Sequence, residues 1–421
     1  MLALPYSVDR KLTAVPYVAY VLAGVNVLVY LASVLMGPEA YRGFVFWGGV
    51  VAADVKWHAL LTMHFIHDAP SPLHLGGNLL FLLLFGRHVE DAIGRVWFAL
   101  LYVLGGVAAA MIQTAATVLL SPSGAHVPMI GASGAIAALL GVFAVRFYRT
   151  KVRVFWILGI GLFLNRAGVW RVSSLIALGL WGAWELVQGV FELGTAEVQQ
   201  AGGVAHWAHL GGLAFGVVIA LGAGLHRQAH ESYTLKDAYD LFRNGDMRKS
   251  ADCFAQLIRE APDDPDMHHK LAVAHEHSYH RARAMPHYLK AVELYAGLGN
   301  TMDAARIYAK TNREPWVARH LDPDVFWLVA DHLAERGAVQ EAVAAFASLA
   351  VSQPGRPQAE TAAVRCGDIL LGDLNHPTQA IEWYRTVRDR GKMQENVARA
   401  ARGIAAAEQA LAAGARADRP S

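Results

Sequence analysis

Three short stretches of this 421-residue chain set reactive side chains among small residues. The first is Gly131-Ala132-Ser133-Gly134, at the head of the apolar run MIGASGAIAALLGVF. A serine flanked by glycines at a helix N-terminus lets a substrate backbone approach. It is faced by backbone N–H groups that can hold an oxyanion, and the helix dipole favours negative charge there. Small residues also serve helix–helix contact inside membranes, so this motif alone leaves both readings open. A serine nucleophile needs a base, and the second stretch, GGVAHWAHLGGLAFG, supplies His206 and His209. Gly212 and Gly216 follow His209 at the spacing that lets one membrane helix press against another. An imidazole beside such a seam can reach the serine. The third stretch, HLGGN, puts His74 and Asn78 at i and i+4 on one helix face. Acyl transfer needs oxyanion donors and this pair offers two; the bland alternative is a polar pair satisfied within a bundle.

The elements that carry these residues follow from composition. The chain is 54% hydrophobic and 17% charged, with a mean hydropathy of +0.28. That excludes a disordered protein and argues against an ordinary soluble enzyme. Thirty-seven basic against 35 acidic residues leave a net charge of +2 and no broad basic field for nucleic acid. Two cysteines, Cys253 and Cys366, make no disulfide framework. The first 228 residues hold 22 charged side chains and the last 193 hold 50, so a membrane part is followed by a soluble part. Six apolar segments lie near 14–36, 73–88, 96–120, 129–148, 172–191 and 203–225, against the roughly 20 residues a spanning helix needs. The second is short and carries His74 and Asn78, and polar groups inside a span default to a functional role. Residues 154–165 are apolar but too short to span, and read as an interfacial or strand-like piece. The first span reads as a retained anchor. Arg10, Lys11, Arg87, Arg95, Arg146, Arg149, Lys151, Arg153 and Arg227 fall on one side, which the positive-inside rule makes the cytoplasm, with both termini. The other side holds Arg42, Lys56, an uncharged 121–128 loop, Glu192 and Glu197. Ser133, His209 and the His74/Asn78 pair all enter from that outer side, at similar depth.

From about residue 233 the pattern turns to amphipathic helix pairs, in 235–265, 268–295, 325–354 and 359–387. Aromatic anchors Phe254 and Tyr288 lie 34 apart, and Phe346 and Tyr384 lie 38 apart. A period near 34 predicts a helical array that buries its core only by stacking. The segments resemble divergent tetratricopeptide repeats over 233–402, which implies a protein or peptide partner. Gly245, Gly337 and Gly372 are expected at inter-helix turns. The histidines 268, 269, 275, 277, 280 and 287 are expected on a solvated face rather than round a metal. The Ala-rich tail 403–421 is expected to fray.

Taken in order, His74-x-x-x-Asn78, Gly131-x-Ser133-Gly134 and Ala208-His209-x-x-Gly212-x-x-x-Gly216 on spans two, four and six resemble the rhomboid family of intramembrane serine proteases, over roughly residues 14–226. HFIH at 64–67 and Glu90 also fit the family pattern. The resemblance implies a six-transmembrane-helix bundle in a multi-pass protein of the lipid bilayer; together with the repeat array, which the loop charges put in the cytoplasm, the chain is expected to be all-α. It implies a Ser–His dyad without an aspartate, hydrolysing peptide bonds in or near the transmembrane helices of membrane-protein substrates, with no cofactor and no metal. Carried over by motif, Ser133 is the nucleophile and His209 the general base. Asn78 and His74 join the Ser133 N–H as oxyanion donors, and Gly131 leaves room. The outer part of span five, near 181–191, is the family's mobile gate, with Trp181 and Trp184 as candidates. The expected setting is a bacterial cytoplasmic membrane. The first outer loop, 37–72, is expected to be a structured insert, Pro-rich before His74. His206 reads as a packing or loop residue, and no partner that would orient His209 is evident. One alternative is an inactive rhomboid-like binder of membrane helices whose repeats recruit partners; catalytic substitutions would mark it. Another is a metalloprotease on His64, His67, His206 and His209, which lacks an HExxH motif and an acidic base. A transporter would show inverted repeats or paired charges in the spans.

Overall fold

The computed structural model describes residues 2–69, 71–160, 164–192, 203–311 and 314–417. Glu197, residues 161–163 of the short apolar piece and residues 418–421 of the tail lie outside them. The chain divides into two units, Met1–His230 and Glu231–Ser421.

The first unit begins with a strand, β1 (Leu2–Val8), then α1 (Tyr17–Val34). The first outer loop is structured, with α2 (Pro38–Gly48), a short β2 (Val50–Val51) and α3 (Ala59–Thr62). Next, α4 (Pro72–Phe81) runs through a π-helical turn at Leu82–Gly86 into α5 (Arg87–Ile93). Then come α6 (Arg95–Leu120), β3 (Pro128–Met129) against β2, and α7 (Ser133–Arg146). A hairpin of β4 (Lys151–Ile160) and β5 (Leu164–Ser173) leads to α8 (Ser174–Glu192), and α9 (His206–Gly222) follows. The strand-like piece expected at 154–165 falls on most of β4 and the first two residues of β5, with 161–163 outside the described residues. β1 was not anticipated; it pairs antiparallel with β4 from Leu2 opposite Ile157 to Val8 opposite Val152. The fourth apolar segment also needs correction, because its helix starts at Ser133 and not at 129. Gly131 has a φ of +114°, which a right-handed helix cannot contain.

Three of these helices, α1, α6 and α8, are long and apolar enough to cross a membrane, and α7 is a shorter apolar helix. Their outward faces are apolar: Leu28 on α1, Trp97 and Leu104 on α6, and Leu180 and Phe191 on α8 are more than half exposed. Faces of that kind are stable against lipid rather than water. The inner faces meet in a core built on Leu82, Phe85, Phe98, Tyr102, Leu139 and Phe143. The start of α1 is held by α5. Glu90 accepts the Val18 and Ala19 backbone N–H groups (3.0 and 2.8 Å), and Asp91 accepts those of Thr13 and Ala14. These donors include first-turn groups that lack a partner within α1.

The second unit is built of successive helices from α10 (Leu225–Arg243) on: α11 (Met247–Glu260), α12 (Pro265–His277), α13 (Arg281–Gly297), α14 (Thr301–Thr311), a short α15 (Pro315–His320), α16 (Pro323–Glu335), α17 (Val339–Ser352), α18 (Pro357–Gly372), α19 (Pro377–Arg390) and α20 (Gln394–Ala417). The anchors Phe254, Tyr288, Phe346 and Tyr384 are all buried in the core, and Tyr308 is a fifth. Each is preceded by nine positions by a left-handed residue at a turn: Gly245, Tyr279, Gly299, Gly337 and Asn375. Gly372 does not serve as a turn, because α18 runs through it and Asn375 takes the positive φ. The tail expected to fray is helical to Ala417: alanine is the best helix former, and Ala400, Ile404 and Ala407 of α20 are buried.

Candidate active site

Ser133 is the first residue of α7, after the extended Met129 and the positive-φ Gly131. Backbone N–H groups in a helix's first turn have no partner within the helix, so this end of α7 is a natural place for an oxyanion. A Cβ added to Gly131 would lie 2.8 Å from Nε2 of His74. Only glycine therefore satisfies both the backbone angle and the space at this position.

Helix α9 carries His209 and packs on α7 at backbone distance. A Cβ on Gly212 would overlap the Gly134 carbonyl oxygen, and one on Gly216 the Ala138 carbonyl oxygen. The close approach expected from the GxxxG spacing is met. Gln113 on α6 accepts the Ala208 N–H at 3.0 Å, filling one of the donors at the start of α9.

His74, Asn78, Gln113, Ser133, Trp181 and His209 line one cavity of about 810 Å³. The residues singled out by motif are thus brought together from α4, α7 and α9, with Gly131 at the edge beside His74. The Asn78 side-chain amide donates to the His74 carbonyl at 3.0 Å. Its second N–H is a further donor. The Asp68 N–H approaches Nδ1 of His74 at 3.5 Å, a long contact that favours a hydrogen on Nε2, the nitrogen turned toward Gly131.

Sequence reading missed the group around His209. Glu185 of α8 lies buried with its Oε2 2.8 Å from Nδ1 of His209 and 2.6 Å from Nδ1 of His206. Nε2 of His206 is 3.4 Å from Glu192. The Trp181 ring packs beside that of His209, centroids 5.8 Å apart. His206 is thus part of a charged cluster rather than a packing or loop residue. The available signal was Glu185 itself, a carboxylate in an apolar span, which defaults to a functional role.

Among the described residues, Glu185, His206 and His209 are also the group whose potential metal-ligand atoms lie within 4.8 Å of one another. Their 2.6 and 2.8 Å contacts are hydrogen-bond lengths. Ligands about 2.0–2.1 Å from a tetrahedral ion would stand roughly 3.3 Å apart, so the geometry fits hydrogen bonds better than an ion. His64 and His67 are not in this group. His64 packs edge-on to Tyr102 and His67 to His74.

The histidines of the second unit divide. His277 and His280 are exposed as expected. His268 is buried, its Nδ1 3.0 Å from Nδ1 of His287 and its Nε2 3.0 Å from the Pro262 carbonyl. Burial, reinforced by His268 and His275, pushes His287 down to about 4. The expected solvated face is corrected there: two of its rings are an inter-helix contact between α12 and α13.

With this geometry in place, comparison with known proteins gives one family: the rhomboid domain, whose family model matches residues 54–225. No curated protein matches the chain.

Proposed function

We propose, on the premise that the chain belongs to the rhomboid family through residues 54–225, that it is an intramembrane serine endopeptidase working through Ser133 and His209. The family acts on membrane proteins within the bilayer, and the exposed apolar faces of α1, α6 and α8 make this an integral membrane protein. The observation that carries the finer reading is the single cavity shared by Ser133, His209, His74 and Asn78.

In this reading Ser133 Oγ attacks the substrate carbonyl carbon while its proton passes to Nε2 of His209. The tetrahedral oxyanion is held by the Ser133 N–H, Asn78 and His74. Collapse breaks the C–N bond, and His209 returns the proton to the leaving amine. A water then repeats the sequence on the acyl-serine, giving the free acid and restoring Ser133. Gly131 keeps the space beside His74 open for the substrate backbone.

Six spans fit the β1–β4 pairing. Those strands must lie on one side of the bilayer, so an even number of crossings separates them. The four segments α1, α4–α5, α6 and α7 supply it, and α8 and α9 complete six. Basic residues near both strands favour the cytoplasmic side, with both termini, in a bacterial inner membrane. The second unit, a tetratricopeptide-like array in this reading, would recruit a protein or peptide partner there.

The test is covalent labelling of the detergent-solubilised protein by a fluorophosphonate, on wild type, Ser133→Ala and His209→Ala. Labelling that requires both residues supports the reading. A folded wild type that labels neither with this probe nor with a smaller membrane-permeant serine reagent sinks it in favour of a helix-binding, non-cleaving protein. Asn78→Ala should lower the cleavage rate about 10²–10³-fold, the usual effect of removing one oxyanion donor, when a fluorogenic transmembrane peptide is the substrate.

A further inference from the structure

The acid-free dyad expected from the family resemblance does not describe the surroundings of His209. One oxygen of Glu185 meets Nδ1 of His209 at 2.8 Å and Nδ1 of His206 at 2.6 Å. An ionised carboxylate only accepts hydrogen bonds, so both Nδ1 atoms carry hydrogen. In His209 that leaves Nε2 as the lone pair able to take the serine proton. In His206 the opposite nitrogen meets Oε1 of Glu192 at 3.4 Å. Set between two carboxylates, His206 is favoured as a cation that donates to Glu185 from Nδ1 and pairs by charge with Glu192.

We infer that Glu185 is the positioning residue of His209 and that His206 is the counter-ion of Glu185, so that the working unit is a line of Ser133, His209 and Glu185 braced by His206. The inference rests on the protease reading above.

Three physical effects support it. A hydrogen bond from Nδ1 fixes both the tautomer and the rotation of the ring. The carboxylate stabilises the imidazolium that forms when Ser133 gives up its proton, while that proton stays on His209. An unpaired carboxylate in an apolar bundle is strongly disfavoured, and a cationic His206 removes that penalty. Trp181 and Glu185 are four residues apart on α8 and share a face. One packs on the His209 ring and the other binds its edge. The groups of α8 and α9 facing His209 are therefore an indole, a carboxylate and a second imidazole, with His74 of α4 across the cavity.

The experiment uses the full chain in detergent, a fluorogenic transmembrane peptide, and the variants Glu185→Gln, Glu185→Asp, His206→Asn and Ser133→Ala. Glu185→Gln should lower kcat about 10²–10⁴-fold, by analogy with neutralising the acid of a serine protease triad, with KM within about twofold. Glu185→Asp should restore part of the loss, and His206→Asn should fall between the two. An unchanged kcat in folded Glu185→Gln, or a rise in KM alone, overturns the inference. So does activity that a chelator abolishes and zinc restores, since the cluster would then hold an ion. If Glu185→Gln does not fold, ¹⁵N-histidine NMR of the wild type decides: an Nδ1–H tautomer for His209 supports the inference and an Nε2–H tautomer overturns it. Failure of the protease reading looks different, because wild type and Ser133→Ala would then be equally inactive.

Discussion

In the first unit Gly141, Gly212 and Gly216 sit inside regular helices, and a side chain on any of them would collide with the backbone of the facing helix. In the second unit Gly245, Gly299 and Gly337 have nothing within 4 Å of an added Cβ, yet all three have positive φ. At these six positions the membrane part uses glycine to let two helix backbones meet and the array uses it to reverse the chain; where the array does use glycine for space, at Gly367 and Gly403, the room is for a side chain, the Tyr384 ring, and not for a backbone. The difference follows from the solvent. Between lipid-embedded helices water gives no drive to bury apolar area, so close backbone packing takes its place. In water the burial of one aromatic per helix pair supplies the drive, and the chain needs only a sharp turn to deliver it.

The largest break in this comparison should come from exchanging the two kinds of damage. Phe346→Ala empties a fully buried site and should cost the array about 3–5 kcal/mol, seen as a lower midpoint of its chemical unfolding. Labelling at Ser133 should persist. Gly216→Val should do the reverse. Overpacking of this kind costs about 1–3 kcal/mol or more, and this one presses on the Ala138 carbonyl, which a rotamer change cannot relieve. It should separate α9 from α7 and abolish labelling while the array's unfolding is unchanged.

A smaller effect separates conformation from space. Gly337→Ala, strained at its φ of +75°, should destabilise the array by about 1–2 kcal/mol. Gly24→Ala, inside α1 with nothing within 4 Å of the new methyl, should be neutral or slightly stabilising. Equal losses in both would remove the distinction.

The smallest expected effect is a pH trend. His287 titrates near 4 in the fold against an ordinary 6.5. The unfolded chain therefore takes up the proton first, and stability falls as pH drops from about 6.5 toward 4. His287→Gln should flatten that slope in denaturation midpoints measured across the range. A slope that persists would assign it to other groups.

Residues whose neighbours in sequence are also their neighbours in space were legible. His74 and Asn78 are one helical turn apart, Ser133 lies among its glycines, and the repeat anchors keep their spacing. The aromatic anchors were found by period, although Tyr308 was not, because its shorter 20-residue step from Tyr288 breaks the period. What escaped was tertiary. Glu185 reaches His209 across 24 residues and two helices, and neither local sequence carries a mark of the other. The helical start expected at 129 failed for a local reason with a non-local cause: the chain stays extended there to pair with β2 and to bring Gly131 against His74.

The pairing of β1 with β4 has a consequence for how the protein is made. β1 is synthesised well before β4: the hydrogen bonds it will share belong to residues some 144 positions further on, the separation of Asp9 from Arg153 in the ion pair at the same edge. Through the synthesis of α1 to α7 the leading strand has no β4 to pair with. Its pairing comes only once the helix that begins with Ser133 has been made, and it then ties the first residues of the chain to the hairpin that leads into the helix bearing Glu185. β1 thus works as a clasp that cannot close until the first four helical segments have been made.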